Sequence, residues 1–272
     1  MATLSMNEIT TFRWSFEEDV AEYANAGIPA IGVWRQKLSD CGLARARPLL
    51  ERSGLRVSHL HWAGGFTGSE GRSFRESLDD AADALRTASQ LGTKTLVVYS
   101  GARAGHTLNH AKRLIQTALR ELTPLAEEIG VNLAIEPMHP ACATPWTFLT
   151  SLNDARELLA AVGSPRMKLV LDTYHLGQDG SLLDTIPEVA SDVAIVQLGD
   201  ARHPPGEEQN RCRLGEGVVP LREIVAALKA ADYDGYYDIE LLGEDIEPSC
   251  YHAILRHARA AFAELIGEPQ TA

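Results

Sequence analysis

Eight short apolar runs, each ending in polar or aromatic residues and each followed by a longer amphipathic stretch, predict one closed (β/α)8 TIM barrel over residues 1–272. Three observations carry this. Alternation of strand-like and helix-like segments implies a parallel sheet. The repeat number is eight, and no linker-like stretch divides the chain into two domains. An open doubly wound sheet is the structural alternative, and no G-x-G-x-x-G follows the first run to support it.

The first strand is expected at residues 9–12, ending at Arg13 and Trp14. Ser15 then caps a helix to about residue 25, with Glu17, Glu18 and Asp19 in its first turn and Gly27 behind it. Residues 30–33 form the second strand, ending at Trp34 and Arg35, before a helix over 43–52 closed by Ser53-Gly54. The third strand, 56–60, ends at His61 and Trp62 and leads through a Gly-rich loop to a helix over 73–91. The fourth, 94–99, ends at Tyr99 and precedes a long helix over 108–129, with an interruption expected near Pro124. Strand five covers 132–135 and ends at Glu136-Pro137; its helix covers 152–162. Strand six opens the run Met-Lys-Leu-Val-Leu-Asp172-Thr-Tyr-His175-Leu-Gly177, followed by a short helix over 182–189. Strand seven covers 193–198, with a helix at 221–231 after a long loop; strand eight covers 236–241 and the last helix 252–265.

Composition narrows the function. A chain with 45% hydrophobic residues buries a large core. Net charge is −12, from 37 acids against 25 bases, and no long Lys/Arg cluster occurs, which argues against a nucleic-acid partner. No run approaches the ~20 apolar residues of a membrane span and the N-terminus has no basic region followed by an apolar one. A soluble cytoplasmic protein with a small-molecule substrate is therefore expected. The four cysteines form no C-x-x-C pair and read as free thiols.

Function in a closed barrel sits on the loops after the strand C-termini. Strands five to eight bring Glu136, Asp172, Gln197 and Glu240 to that face. Nothing in packing asks for an acid directly after Leu-Val-Leu, and a buried lone carboxylate is costly, so Asp172 needs a partner. Three carboxylates and a carboxamide converging on one point repel unless a cation lies between them. Oxygen-only ligands of this kind suit one hard divalent ion per chain, Mn2+ or Mg2+. His175, three residues past Asp172, points into the same cavity on this reading. Trp14, Trp34, Trp62, Tyr99 and Trp146 fall on the same face, either packing on a sugar ring or capping the core; His61 is the better placed of the histidines on strand three. Arg35, Arg103, Arg211 and Arg213 also lie there and are candidates for holding a carboxylate or phosphate, with the backbone of Gly215-Glu-Gly217 as a weaker one.

Ile135-Glu136-Pro137, Leu171-Asp172-Thr-Tyr-His175, Val196-Gln197-Leu-Gly-Asp200, Arg213-Leu-Gly215-Glu-Gly217 and Asp238-Ile-Glu240 together resemble the xylose isomerase-like barrel superfamily. That group includes ketose 3-epimerases, hydroxypyruvate isomerase, and inosose and 3-dehydroshikimate dehydratases. The resemblance implies that Glu136, Asp172, Gln197 and Glu240 hold the metal, that His175 and Arg213 contact substrate oxygens, and that Glu136 and Glu240 share the proton transfers. The implied activity is a divalent-metal-dependent isomerase or epimerase of a small keto-sugar or polyol ketone, acting through a metal-stabilised enediolate. A dehydratase or lyase acting by β-elimination is the alternative. Gln197 bears on the choice, because epimerases of the group usually have His there and some dehydratases have Gln. Members are often dimers or tetramers, so a homo-oligomer is expected by analogy.

Overall fold

The computed structural model describes residues 2–267 and shows eight parallel strands closed into a barrel in sequence order. The strands are β1 (Thr3–Asn7), β2 (Ala30–Trp34), β3 (Arg56–Gly64), β4 (Thr95–Tyr99), β5 (Asn132–Ile135), β6 (Met167–Asp172), β7 (Val193–Leu198) and β8 (Tyr236–Ile239). Closure is made by β1 against β8, with Thr3 opposite Tyr236 and Met6 opposite Ile239.

The main helices are α1 (Phe16–Asn25), α2 (Arg35–Cys41), α3 (Leu43–Ser53), α4 (Phe74–Gln90) and α5 (Leu108–Ile129). They are followed by α6 (Pro140–Ala143), α7 (Leu152–Val162), α8 (Thr173–Leu176), α9 (Leu182–Val189), α10 (Leu221–Ala230) and α11 (Tyr251–Ile266). Ser15 caps α1 and Ser73 caps α4, each with a reciprocal glutamate three residues on, Glu18 and Glu76. None of the helices among the described residues is long and apolar enough to cross a membrane.

Three local expectations are corrected. The first strand is Thr3–Asn7, and residues 9–12 form turns. The strand was hidden because its barrel-facing residues, Ser5 and Asn7, are polar: only Leu4 and Met6, packed in the main core, carry the apolar signal. The long helix α5 runs through Pro124 without interruption. A helix of seven residues, α2, occupies what read as loop after β2; its Lys37 is buried and its ammonium bonds Asp19 at 2.5 Å and the carbonyls of Glu8 and Thr11.

The barrel interior is divided. On the β4–β7 side it is apolar, with Val97, Ala134, Val170 and Ile195 in one cluster. Across from them, on β8, β1 and β3, stand Asp238, Ser5 and His59, all fully buried. Gly32 on β2 leaves room for this polar half: a Cβ there would lie 2.4 Å from the His59 ring and 2.8 Å from the Asp238 carboxyl. Two residues further along each strand, alternation turns the next side chain inward at the barrel mouth. Those positions are Asn7, Trp34, His61, Tyr99, Glu136, Asp172, Gln197 and Glu240.

Candidate active site

The partner of Asp172 is found first. One of its oxygens caps α8, accepting the backbone N–H groups of Tyr174 at 2.7 Å and His175 at 3.4 Å. The other accepts a hydrogen bond from Arg211 at 2.9 Å. The same Arg211 nitrogen lies 3.1 Å from Glu240, and the other terminal nitrogen donates to the Glu240 carbonyl at 3.0 Å. Its guanidinium lies over the Tyr174 ring, 4.8 Å from the centroid. At 2% exposure Arg211 is an almost fully buried cation, and its ion pairs are screened little by water. Burial alone would lower its pKa; the Asp172, Glu240 and Glu136 carboxyls outweigh that and raise it.

Glu240 is held by several donors. Its Oε2 accepts the Gln197 amide N–H and, at 2.9 Å, the Asn7 amide, which also donates to Asp238 at 3.0 Å. Glu136 is different. Both of its oxygens are buried without a hydrogen-bond partner, as are His175 Nε2 and Gln197 Oε1. His175 Nε2 stands 3.9 Å from Glu136 Oε1, and its Nδ1 faces the Cys142 thiol at 3.4 Å. Burial lowers the His175 pKa to about 4, so near neutrality the His175–Glu136 contact joins a neutral ring to a carboxyl and is not an ion pair. Burial, with Glu240 and Asp172 alongside, raises Glu136 well above the usual carboxylate range. Burial raises Glu240 to about 7 against the opposing pull of Arg211.

These groups fit a cation. Glu136, Asp172 and His175 each offer one atom, all within 4.8 Å of one another. Asp172 and Glu240 share one guanidinium, Glu136 has no cation within ion-pair distance among the described residues, and four buried polar atoms aimed into the cluster lack partners. Unpaired buried acceptors are costly, and a divalent ion is the group that would satisfy several at once. The set differs from the sequence expectation in one respect: His175, assigned there to substrate, lies with Glu136 and Asp172, while Gln197 and Glu240 face each other.

The remaining candidates separate into two groups. His61 bonds the Tyr99 hydroxyl at 2.7 Å, and Trp62 lies 5.5 Å from the Tyr99 ring and 5.6 Å from Trp146. These residues, Trp34 and Glu240 line one cavity at the barrel mouth. Trp14 does not line it; its ring packs on Tyr251 and His252. Arg213 is half-buried outside the charge cluster, which takes Arg211 instead, two residues earlier. Arg35 is committed to Asp80 through two hydrogen bonds of 2.9 and 2.8 Å. Arg103 is exposed and bonds the carbonyl of His106. The N–H groups of Gly215 and Gly217 go to Asp200, at 2.8 and 3.0 Å, and not to a ligand. Asn7 escaped the sequence reading altogether because its strand was misplaced; its signal was the i, i+2 step from Ser5.

A (β/α)8 barrel with a buried, carboxyl-rich cluster at the strand C-termini defines a class of enzyme-like scaffold, and comparison places the chain within it. Residues 20–264 match the family model described as xylose isomerase-like TIM barrel, and the chain belongs to that family. It is 25% identical over 182 residues to an inosose isomerase of Bacillus velezensis, covering 65% of this chain and 63% of the relative, so the match spans less than two thirds of that protein. It is 28% identical over 200 residues to a fructoselysine 3-epimerase of Escherichia coli O157:H7, covering 72% of this chain and 69% of the relative. Among solved structures, IolI protein with a bound zinc atom superposes with a TM-score of 0.83 at 20% identity, covering 97% of this chain and 98% of the other.

Proposed function

We propose that this chain is a divalent-metal-dependent sugar isomerase or epimerase acting on a small keto-sugar or polyol ketone. The observation that carries the reading is the set of unpartnered buried atoms, Glu136 Oε1 and Oε2, His175 Nε2 and Gln197 Oε1, facing a cluster with more carboxyls than cations. Its relatives named isomerase and epimerase support the same reaction class. Glu136, Asp172, Gln197, Glu240 and His175 are the residues that would hold the ion. When bound, it supplies Lewis-acid polarisation of a carbonyl oxygen. Glu136 takes the proton from the carbon beside that carbonyl, since its carboxyl is committed to no other donor. Arg211 and Asn7 keep Glu240 in place, and His61 with its partner Tyr99 faces the substrate from the cavity side.

The test is solvent deuterium exchange into a panel of keto-sugars by protein loaded with Mn2+, Mg2+ or Zn2+, zinc being included because the IolI structure contains it. Metal-dependent label at a carbon next to the carbonyl is the expected result. Label without loss of water identifies isomerisation or epimerisation, and loss of water identifies the lyase reaction. Exchange that is equally fast in EDTA refutes the metal-dependent reading.

A further inference from the structure

Above the carboxyl cluster lies a cavity of about 230 Å3 whose floor is Glu240, His61 and Tyr99. Its sides are mostly aromatic and aliphatic, with Thr10, Gln209 and Glu247 among them. Phe12 and Trp34 pair at 5.7 Å between centroids on one side, Trp62 and Trp146 pair at 5.6 Å on another, and Ile246 lines it between them. Phe12 is 58% exposed and contributes to one side of this cavity. Among the described residues, no Lys or Arg lines this cavity. The nearest cations are already committed: Arg211 to Asp172 and Glu240, Arg35 to Asp80, and Arg13 to the Tyr251 ring and the Ser249 carbonyl. An entering phosphate or carboxylate would meet Glu240 and Glu247 and no free positive charge. Sugar hydroxyls turned toward these sides would find few partners in exchange for water, chiefly the unpartnered Trp34 Nε1 and the Gln209 amide. An uncharged apolar group would gain there, and the volume exceeds the roughly 150 Å3 that admits a benzene ring.

We propose that the substrate's keto-polyol part carries an uncharged aryl or alkyl substituent, seated between the Phe12–Trp34 and Trp62–Trp146 pairs, and that phosphorylated and carboxylated sugars are excluded. This rests on the proposed function above for the reacting part alone. The cavity is continuous with the site, sharing Glu240, His61 and Tyr99 with it, so the occupant is part of the substrate.

Calorimetric binding without turnover tests this independently of the reaction. The probes are phenyl β-D-glucopyranoside, D-glucose and D-glucose 6-phosphate, each with and without Mn2+. Phenyl glucoside is expected to bind at least tenfold more tightly than glucose, and glucose 6-phosphate more weakly than either. Trp146→Ala is expected to weaken phenyl glucoside at least tenfold and glucose less than threefold. Phe12→Ser, at an exposed position that tolerates change, is expected to act in the same direction. Equal affinity for phenyl glucoside and glucose, or tighter binding of glucose 6-phosphate, overturns the proposal. So does a Phe12→Ser variant that dissociates a dimer in light scattering with phenyl glucoside affinity intact, since a second copy then covers that side. Selective binding of phenyl glucoside combined with no exchange on any keto-sugar would sustain this inference and refute the reaction class.

Discussion

Replacing Arg211 with Met removes a buried cation of similar length and leaves two carboxyls without their shared partner. Arg211 is 2% exposed and contacts Asp172 at 2.9 Å and Glu240 at 3.1 Å. Breaking a buried ion pair from one side costs about 3–5 kcal/mol, because the surviving charge stays buried. A chain of this size shifts its Tm by roughly 2–4 °C per kcal/mol, so Arg211→Met is expected to lower Tm by about 6–20 °C in EDTA. Scanning calorimetry at pH 7.5 measures this, with Arg213→Met as control. Arg213 is half-buried and outside the cluster, and its loss is expected to cost under about 1 kcal/mol. If the cluster takes a divalent ion, saturating Mn2+ supplies the missing charge and narrows the gap between Arg211→Met and wild type. Equal losses at 211 and 213 would refute the placement of the arginine. A Tm that Mn2+ leaves unchanged in wild type and variant alike would refute the cation site.

Three further outcomes follow from separate features. Burial raises Asp19 to about 6, against the pull of Lys37, from an ordinary 3.8. The folded state therefore holds that proton more tightly than the unfolded chain, and the contribution is fully present below about 3.8 and lost as pH rises through about 6. The stability of wild type relative to Asp19→Asn is thus expected to shrink between pH 4 and 6.5 in urea titrations, and a constant difference would contradict it. Asp200 accepts backbone N–H groups from Ala201, Gly215, Gly217 and Val219 at 2.8, 2.8, 3.0 and 3.2 Å. Asp200→Ala is expected to cost about 2–4 kcal/mol, with partial recovery in Asp200→Asn, measured by urea unfolding. Glu136→Gln is expected to reduce deuterium exchange roughly 10²–10⁴-fold with little change in Tm, whereas Glu240→Gln is expected to lower both.

Much of the barrel was legible because its signal is local. Strands β5 to β7 are apolar runs bounded by punctuation, and α1 and α4 announce themselves through Ser15 with Glu18 and Ser73 with Glu76. The parts that escaped depend on what faces the residue across the barrel. Ser5 and Asn7 belong to a strand only because Ser58 and Asp238 wait opposite them at 2.7 and 3.0 Å. Choosing between Arg211 and Arg213 likewise needs the third dimension. The backbone N–H of residue 211 bonds the Leu242 carbonyl beyond β8, and that tie carries the side chain over Tyr174 into the cluster. Asp172 was expected to meet a metal ion; that it also pairs with Arg211, two residues before the arginine expected to contact substrate, is invisible to a motif.

The two glutamates that the sequence paired without ordering are unequal for a physical reason. Glu240 receives N–H groups from Gln197 and Asn7 on one oxygen and faces Arg211 on the other, so its orientation is set from both sides. Burial raises its pKa to about 7, with the Arg211 charge opposing the rise and Asp172 adding to it. Glu136 is as deeply buried but has neither the Gln197 nor the Asn7 donor; burial, Glu240 and Asp172 raise its pKa, and Tyr99 and Arg211 oppose the rise. Environments that drive two carboxyls apart in this way are how one site obtains two roles from one residue type. A group fixed by several partners is suited to holding position. A group with both oxygens free of other donors is suited to taking a proton and returning it. We therefore propose that Glu136 carries the proton transfer and Glu240 the anchoring. Gln197 is part of that asymmetry: its amide N–H is spent on Glu240, which turns its carbonyl oxygen, unpartnered, into the cluster.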